Sequence, residues 1–208
     1  HSIHLKPLAE DALSLPVRTG KARVIGIEPA SLVTKSLVRE VKTDDAGCFQ
    51  SALNPGLTKI AVIERHKRTG KRGIGILEGY GLTGGAIATT ISHDSHNIVV
   101  AGDNDPDMLL AVRELADMGG GIVSVHGGAI RRLPLPIAGL MTSADPQEVN
   151  AVLHDMLVAA RAELGIPEDV EPFMTLSFMA LPVIPELKLT ARGLFNVNTF
   201  SFVGVEAD

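Results

Sequence analysis

The chain has 208 residues, 45% of them hydrophobic, with a formal net charge of -5 and one cysteine, Cys48. That is enough apolar material for the core of a soluble globular protein of one or two domains, while the acidic balance, the lack of Trp and the single Tyr exclude a nucleic-acid binder, which needs an excess of Lys and Arg. A lone cysteine excludes a disulfide framework, fits a reducing cytoplasm, and rules out the zinc nucleobase deaminases built on a Pro-Cys-x-x-Cys pair.

No apolar run approaches the roughly 20 residues that cross a bilayer, so no membrane partner is expected. The chain opens on His1 with no charged and then apolar leader behind it, and is expected to be either processed or, in preference, a piece of a longer protein. From Ser2 to Pro29, short β-like pieces (Ser2 to Leu5, Lys21 to Ile27) alternate with Pro7, Pro16, Gly20 and Pro29. These are isolated strands bounded by breakers, expected to pair with strands outside the segment or outside the chain. Ser31 to Val41 reads as a further strand, and the turn-rich stretch Thr43 to Gly56 as a domain boundary.

Ile60 to Glu64 and Gly73 to Glu78 form a predicted hairpin through Thr69-Gly70. Its tip carries Arg65, His66, Lys67, Arg68, Lys71 and Arg72, either as a solvated face or, at Arg65 and His66, as an anion or partner contact. Gly84 to Asp103 then holds what is chemically unusual. Two apolar, β-branched strands flank His93-Asp94-Ser95-His96-Asn97: two imidazoles, a carboxylate, a hydroxyl and an amide within five residues. A turn has no particular need of histidine. The bland reading is that Asp94 and Asn97 form the turn, Ser92 and Ser95 satisfy backbone groups, and the histidines pack or face solvent.

Asp105-Pro106-Asp107 opens a helix with Asp105 as N-cap and Pro106 in the first position, followed by Met108, Leu109, Val112, Leu115, Ala116 and Met118 at helical spacing. Gly119-Gly120-Gly121 closes that helix and opens a strand, the reverse of a phosphate-binding loop. Ile122 to Val125, a turn at His126-Gly127-Gly128, and Ala129 to Leu133 form a second hairpin. Leu133 to Met141, LPLPIAGLM, suits a buried extended segment. Asp145-Pro146 starts a second helix running to about Gly165, with His154 exposed or half-buried on it. Phe173 to Pro185 is read as a strand-like run; Leu187 and Leu189 then alternate with Glu186, Lys188 and Thr190 before a last short strand or two between Leu194 and Val205. The sum is an α/β (α+β) fold, a mixed sheet with two main helices.

ISHDSHNIVVAGDNDPDM, LPLPIAGLM and PFMTLSFMALPVIPELKLTARGLF, with KARVIGIEP and KIAVIERHKRTG upstream, resemble the C-terminal domain of bacterial and archaeal adenine deaminases of the amidohydrolase superfamily. The resemblance implies hydrolysis of adenine to hypoxanthine and ammonia in purine salvage, by a protein with a metallohydrolase barrel, a small β-sandwich and this domain. On that scheme residues 1–41 are the returning strands of the sandwich and 42–208 the C-terminal α/β domain. A divalent metal (manganese, iron or zinc) is implied, held by a His-x-His motif and other barrel residues absent here: His1 and His4, like His93 and His96, are three apart. The fragment alone is expected to hold no metal and to be silent. Ser92, His93, Asp94, His96 and Asn97 are then expected either to enclose adenine at the barrel mouth or to pin the domain to the barrel or to another subunit of a homo-oligomer. Two further readings stay open: an interaction domain marked by an exposed apolar patch at LPLPIAGLM or the opening strands, and a small freestanding hydrolase with metal on His93, Asp94 and His96.

Overall fold

A computed structural model describes residues 2–207. Eleven strands and three α-helices follow one another along the described residues. β1 (Lys21–Ile27) and β2 (Thr34–Glu40) form a hairpin, as do β3 (Leu57–Ile63) and β4 (Arg72–Glu78). β5 (Gly85–Thr89), β6 (Ile98–Gly102), α1 (Asp105–Asp117), β7 (Gly121–His126) and β8 (Ala129–Pro134) come next. Then follow α2 (Pro146–Ala162), α3 (Pro172–Phe178), β9 (Leu187–Thr190), β10 (Gly193–Asn196) and β11 (Ser201–Phe202).

The first eight strands make one mixed sheet in the order β2-β1-β4-β3-β6-β5-β7-β8, and the last three a small second sheet. Only β1 and β4 run parallel; the other neighbours are antiparallel. Because β5 is antiparallel to both β6 and β7, those two point the same way, and α1 crosses between them over the strand they enclose. β5 and β6 are buried at every position, which accounts for their unbroken apolar runs: both faces are covered. On one face Ala86, Ala88, Ile98 and Val100 meet Met108, Val112 and Leu115 of α1. On the other, Ile87, Val99 and Ala101 belong to a core with Met156 and Ala160 of α2, Phe173 and Leu176 of α3, and Leu187, Leu189 and Leu194 of the small sheet. The result is helix, sheet, then a layer of helices and small sheet.

Five expectations need correction. Ser2 to Leu5 is no strand, whereas Lys21–Ile27 does find its partners outside the opening segment, within the chain, β2 on one side and β4 on the other. The cap of α1 is Asn104, whose side chain accepts from the Asp107 amide, so Asp105 is the first helical residue. Phe173 to Pro185 is not extended: Glu171 caps α3, Pro172 begins it, and Phe173, Leu176 and Ala180 are buried at helical spacing. A third helix therefore joins the two expected. LPLPIAGLM is not wholly buried, since only Leu133, Leu135 and Gly139 are covered while Ile137 and Met141 are exposed. Lys188 does not follow the alternation outward; it is fully buried, its Nζ donates to the Leu32 carbonyl at 2.8 Å, and burial pushes its pKa down to about 8.

Candidate functional site

β5 and β6 lie side by side in the sheet and deliver the connection 90–97 beyond its end. The connection closes on itself through His96, whose amide donates to the Ser92 carbonyl at 2.6 Å while its Nδ1 accepts from the Ser92 amide at 3.2 Å. Residue 96 takes a left-handed conformation, φ 47°. An Nδ1 that accepts leaves the proton of a neutral ring on Nε2. Burial first, then the charges of His93 and Arg65, hold the His96 pKa below the ordinary imidazole value, so the neutral form dominates at pH 7. His93 stacks on Phe178 of α3, centroids 4.5 Å apart, with His96 edge-on at 5.6 Å, and its amide donates to the Ser177 carbonyl. The helix missed in the sequence is thus what supports this end of the loop. Asp94 stands in solvent, its side chain 88% exposed, and Ser92 Oγ is buried with no hydrogen-bond partner among the described residues.

Arg65 and His66, from the end of β3, brace this loop from outside. Arg65 is 1% exposed, so the picture of a wholly solvated basic tip fails at its first residue. Its Nε donates to the His96 carbonyl at 2.5 Å, Nη1 to the Ser2 carbonyl at 3.0 Å, and Nη2 to the Ala138 carbonyl at 2.9 Å. These donors serve main-chain carbonyls, not an anion. The 137–141 turn fits against the guanidinium because residue 139 is glycine: a Cβ there would stand 3.0 Å from Nη1, on a backbone with φ +74°. His66 Nε2 meets the Ser95 carbonyl at 2.8 Å. Of the sequence-predicted candidates, the structure brings Arg65, His66, Ser92, His93, His96 and Asn97 into one assembly and leaves Asp94 facing out.

On its far side the loop forms one wall of a cleft of about 700 Å³, lined by Asp94, Ser95 and Asn97, by Ala180 to Val183, by Thr190 to Arg192, and by Phe195, Phe200 and Phe202. Phe195 packs edge-on against Phe200 (5.3 Å) and Phe202 (5.2 Å), and the Arg192 guanidinium lies 4.7 Å from the Phe202 centroid. Sequence reasoning missed this wall. The available signal was that three of the chain's six phenylalanines fall between positions 195 and 202.

Among the described residues no group of three His, Cys, Asp or Glu side chains is placed to hold a metal. His93 Nδ1 is 4.0 Å from Asp94 Oδ1, and His96 Nδ1 is committed to an amide. His1 lies outside the described residues; His4 donates its amide to the Arg65 carbonyl. The donor set does not fit a metal. No described helix is long and apolar enough to cross a membrane.

The sequence model of the adenine deaminase C-terminal domain matches residues 31–201. The chain is 58% identical over 205 residues to an adenine deaminase of Nitratidesulfovibrio vulgaris strain Hildenborough, covering 98% of this chain and 35% of that protein. It is 47% identical over 206 residues to adenine deaminase 2 of Carboxydothermus hydrogenoformans (99% and 36%), and 44% identical over 204 residues to adenine deaminase of Clostridium acetobutylicum (98% and 36%). It thus spans about a third of the length of the curated relatives it matches. On this match, and on a mixed α/β fold that agrees with the expectation from its motifs, the chain belongs to the adenine deaminase C-terminal domain family.

Proposed function

We propose that this chain is the C-terminal part of an enzyme that hydrolyses adenine to hypoxanthine and ammonia in purine salvage, and that loop 92–97 faces the base. The observation that carries this reading is the similarity, over nearly the whole chain, to proteins named adenine deaminase. The reaction adds water at C6 of the purine and releases the amine, with a proton delivered to the departing nitrogen. A divalent metal, manganese, iron or zinc, activates such a water. It belongs to the metallohydrolase barrel in this reading, since the residues described here do not fit one.

The role left to this chain is enclosure and orientation. Asp94 offers a carboxylate to an exocyclic amine and Asn97 an amide, which together match the mixed donors and acceptors of a purine edge; Ser92, His93 and His96 set the loop's shape and so enclose the base from behind. Residues 1–41 return from the β-sandwich and add β1 and β2 to the sheet that 42–208 complete as the C-terminal α/β domain, and the enzyme works in the cytoplasm as a homo-oligomer. The test uses the parent-length enzyme. Asp94→Asn and Asp94→Ala should lower adenine turnover at least about tenfold, against stability changes within about 0.5 kcal/mol, the range for exposed positions; parallel losses in both readouts would sink the substrate-facing role.

A second reading, of an interaction domain, is favoured by Ile137 (46% exposed) and Met141 (57%), which face each other across a β-bridge. Ile137→Glu with Met141→Glu should then lower the assembly state in light scattering while leaving the fold intact.

A further inference from the structure

We infer that the phenylalanine-lined cleft beside loop 92–97 is a binding site for a planar heteroaromatic base bearing an exocyclic amine, an inference that rests on the aminopurine reading above and adds where such a base sits. Three observations carry it. The volume, about 700 Å³, lies within the range of small-molecule sites, which are mostly apolar with a few placed polar groups. The apolar surface is aromatic, Phe195, Phe200 and Phe202 offering ring faces and edges on which a flat base stacks.

The third observation concerns Asn97. It is 8% exposed and lines the cleft. Its Oδ1 accepts from the Arg65 amide at 3.4 Å, and its Nδ2 finds no acceptor among the described residues. A donor that is nearly buried, unpaired and at a cavity wall costs stability unless a ligand or water completes it. A ring nitrogen of a purine is such an acceptor. Asp94 stands on the same wall with a solvated carboxylate, suited to the hydrogens of an exocyclic amine. Arg192, held over Phe202, also lines the cleft. Stacking alone admits any flat ring; Asn97 and Asp94 together select a base presenting an acceptor beside an amine.

The experiment is ligand-observed saturation-transfer NMR on this 208-residue chain with adenine, with unsubstituted purine as the probe lacking the amine. Adenine is expected to receive saturation and to bind about tenfold more tightly than purine, the factor carried by one charge-assisted hydrogen bond. Asp94→Asn should erase that preference. Val183→Trp fills the cleft from a residue 66% exposed, so the fold is spared, and it should abolish transfer to both probes. Absence of transfer from the wild-type chain, or transfer unchanged by Val183→Trp, overturns the site. An adenine-to-hypoxanthine assay on the parent-length protein separates the two levels. Turnover without binding to this chain removes the cleft and keeps the deaminase reading; binding that Val183→Trp abolishes, with no turnover, keeps the cleft and removes the deaminase reading.

Discussion

The connection between β3 and β4 and the connection between β5 and β6 leave the same end of the sheet, where Ile63 pairs with Ile98, and both are polar and histidine-bearing. The first is held by its own residue. Glu64 accepts from the amides of His66, Lys67 and Thr69 and from the Thr69 hydroxyl; burial raises its pKa, but these four hydrogen bonds outweigh that and hold it down at about 2. The second is held from elsewhere. The carbonyls of His96 and Ser95 and the amide of His93 take partners on Arg65, His66 and Ser177. A self-satisfied turn needs little beyond its own strands, whereas the loop bearing the candidate site, though closed locally by His96 on Ser92, is also braced by Arg65, which the N-terminal segment and the 137–141 turn hold, and by α3.

That contrast breaks or sharpens first at Arg65. Arg65→Met leaves three main-chain carbonyls without their donor and should cost about 3 kcal/mol in thermal or denaturant unfolding, since buried groups stripped of partners cost about 1–3 kcal/mol each and relax in part. Amide exchange should speed across 92–97 and leave 66–70 unchanged. Glu64→Ala should cost less, about 1–2 kcal/mol, because its partners regain water at an exposed tip, with the faster exchange confined to 66–70. His66→Ala, which removes one bond to Ser95 at the surface, should cost about 0.5–1 kcal/mol and loosen the loop, not the tip that carries the residue. Equal losses from Arg65→Met and Glu64→Ala, or loop exchange indifferent to Arg65, would show that the loop stands alone.

Much of this frame was legible. The hairpins, the α1 stripe and its glycine stop, and the Asp145-Pro146 start of α2 follow from patterns that act within a few residues: period, caps and turns. The cluster at 93–97 stood out because histidines have no business in an ordinary turn. What could not be read was long-range. Arg65 looks like one more cation at a basic tip; only the arrival of Ser2 and Ala138, far away in the chain, turns it into a buried strut. Phe173 to Phe178 reads as strand because its short apolar run suits either period, and Glu171 with Pro172 decides for helix through a cap that the run itself does not display. Lys188 alternates correctly along β9, yet the main sheet and the Leu32 segment cover both faces of that strand.

The smallest effect is the one that separates the two connections by pH alone. Depression of the His96 pKa by burial and neighbouring charge means the folded state prefers the neutral ring. Its contribution is complete above the unfolded value, about 6.5, and is lost as pH falls from there through the folded pKa. Protonation would place a hydrogen on the Nδ1 that now accepts from Ser92, so the closing bond of the loop is what acid removes. Glu64 is depressed from 4.5 to about 2; its contribution is complete above 4.5 and lost only as pH falls toward 2. As the pH is lowered below about 6.5, the amide protection factors, normalised to the intrinsic exchange rate at each pH, should therefore fall at 92–97 before they fall at 66–70, and the tip should follow only below pH 4.5. His96→Gln should lose the first step and keep the second. Simultaneous loosening of both connections would mean that the loop opens with the whole fold and not through its own histidine.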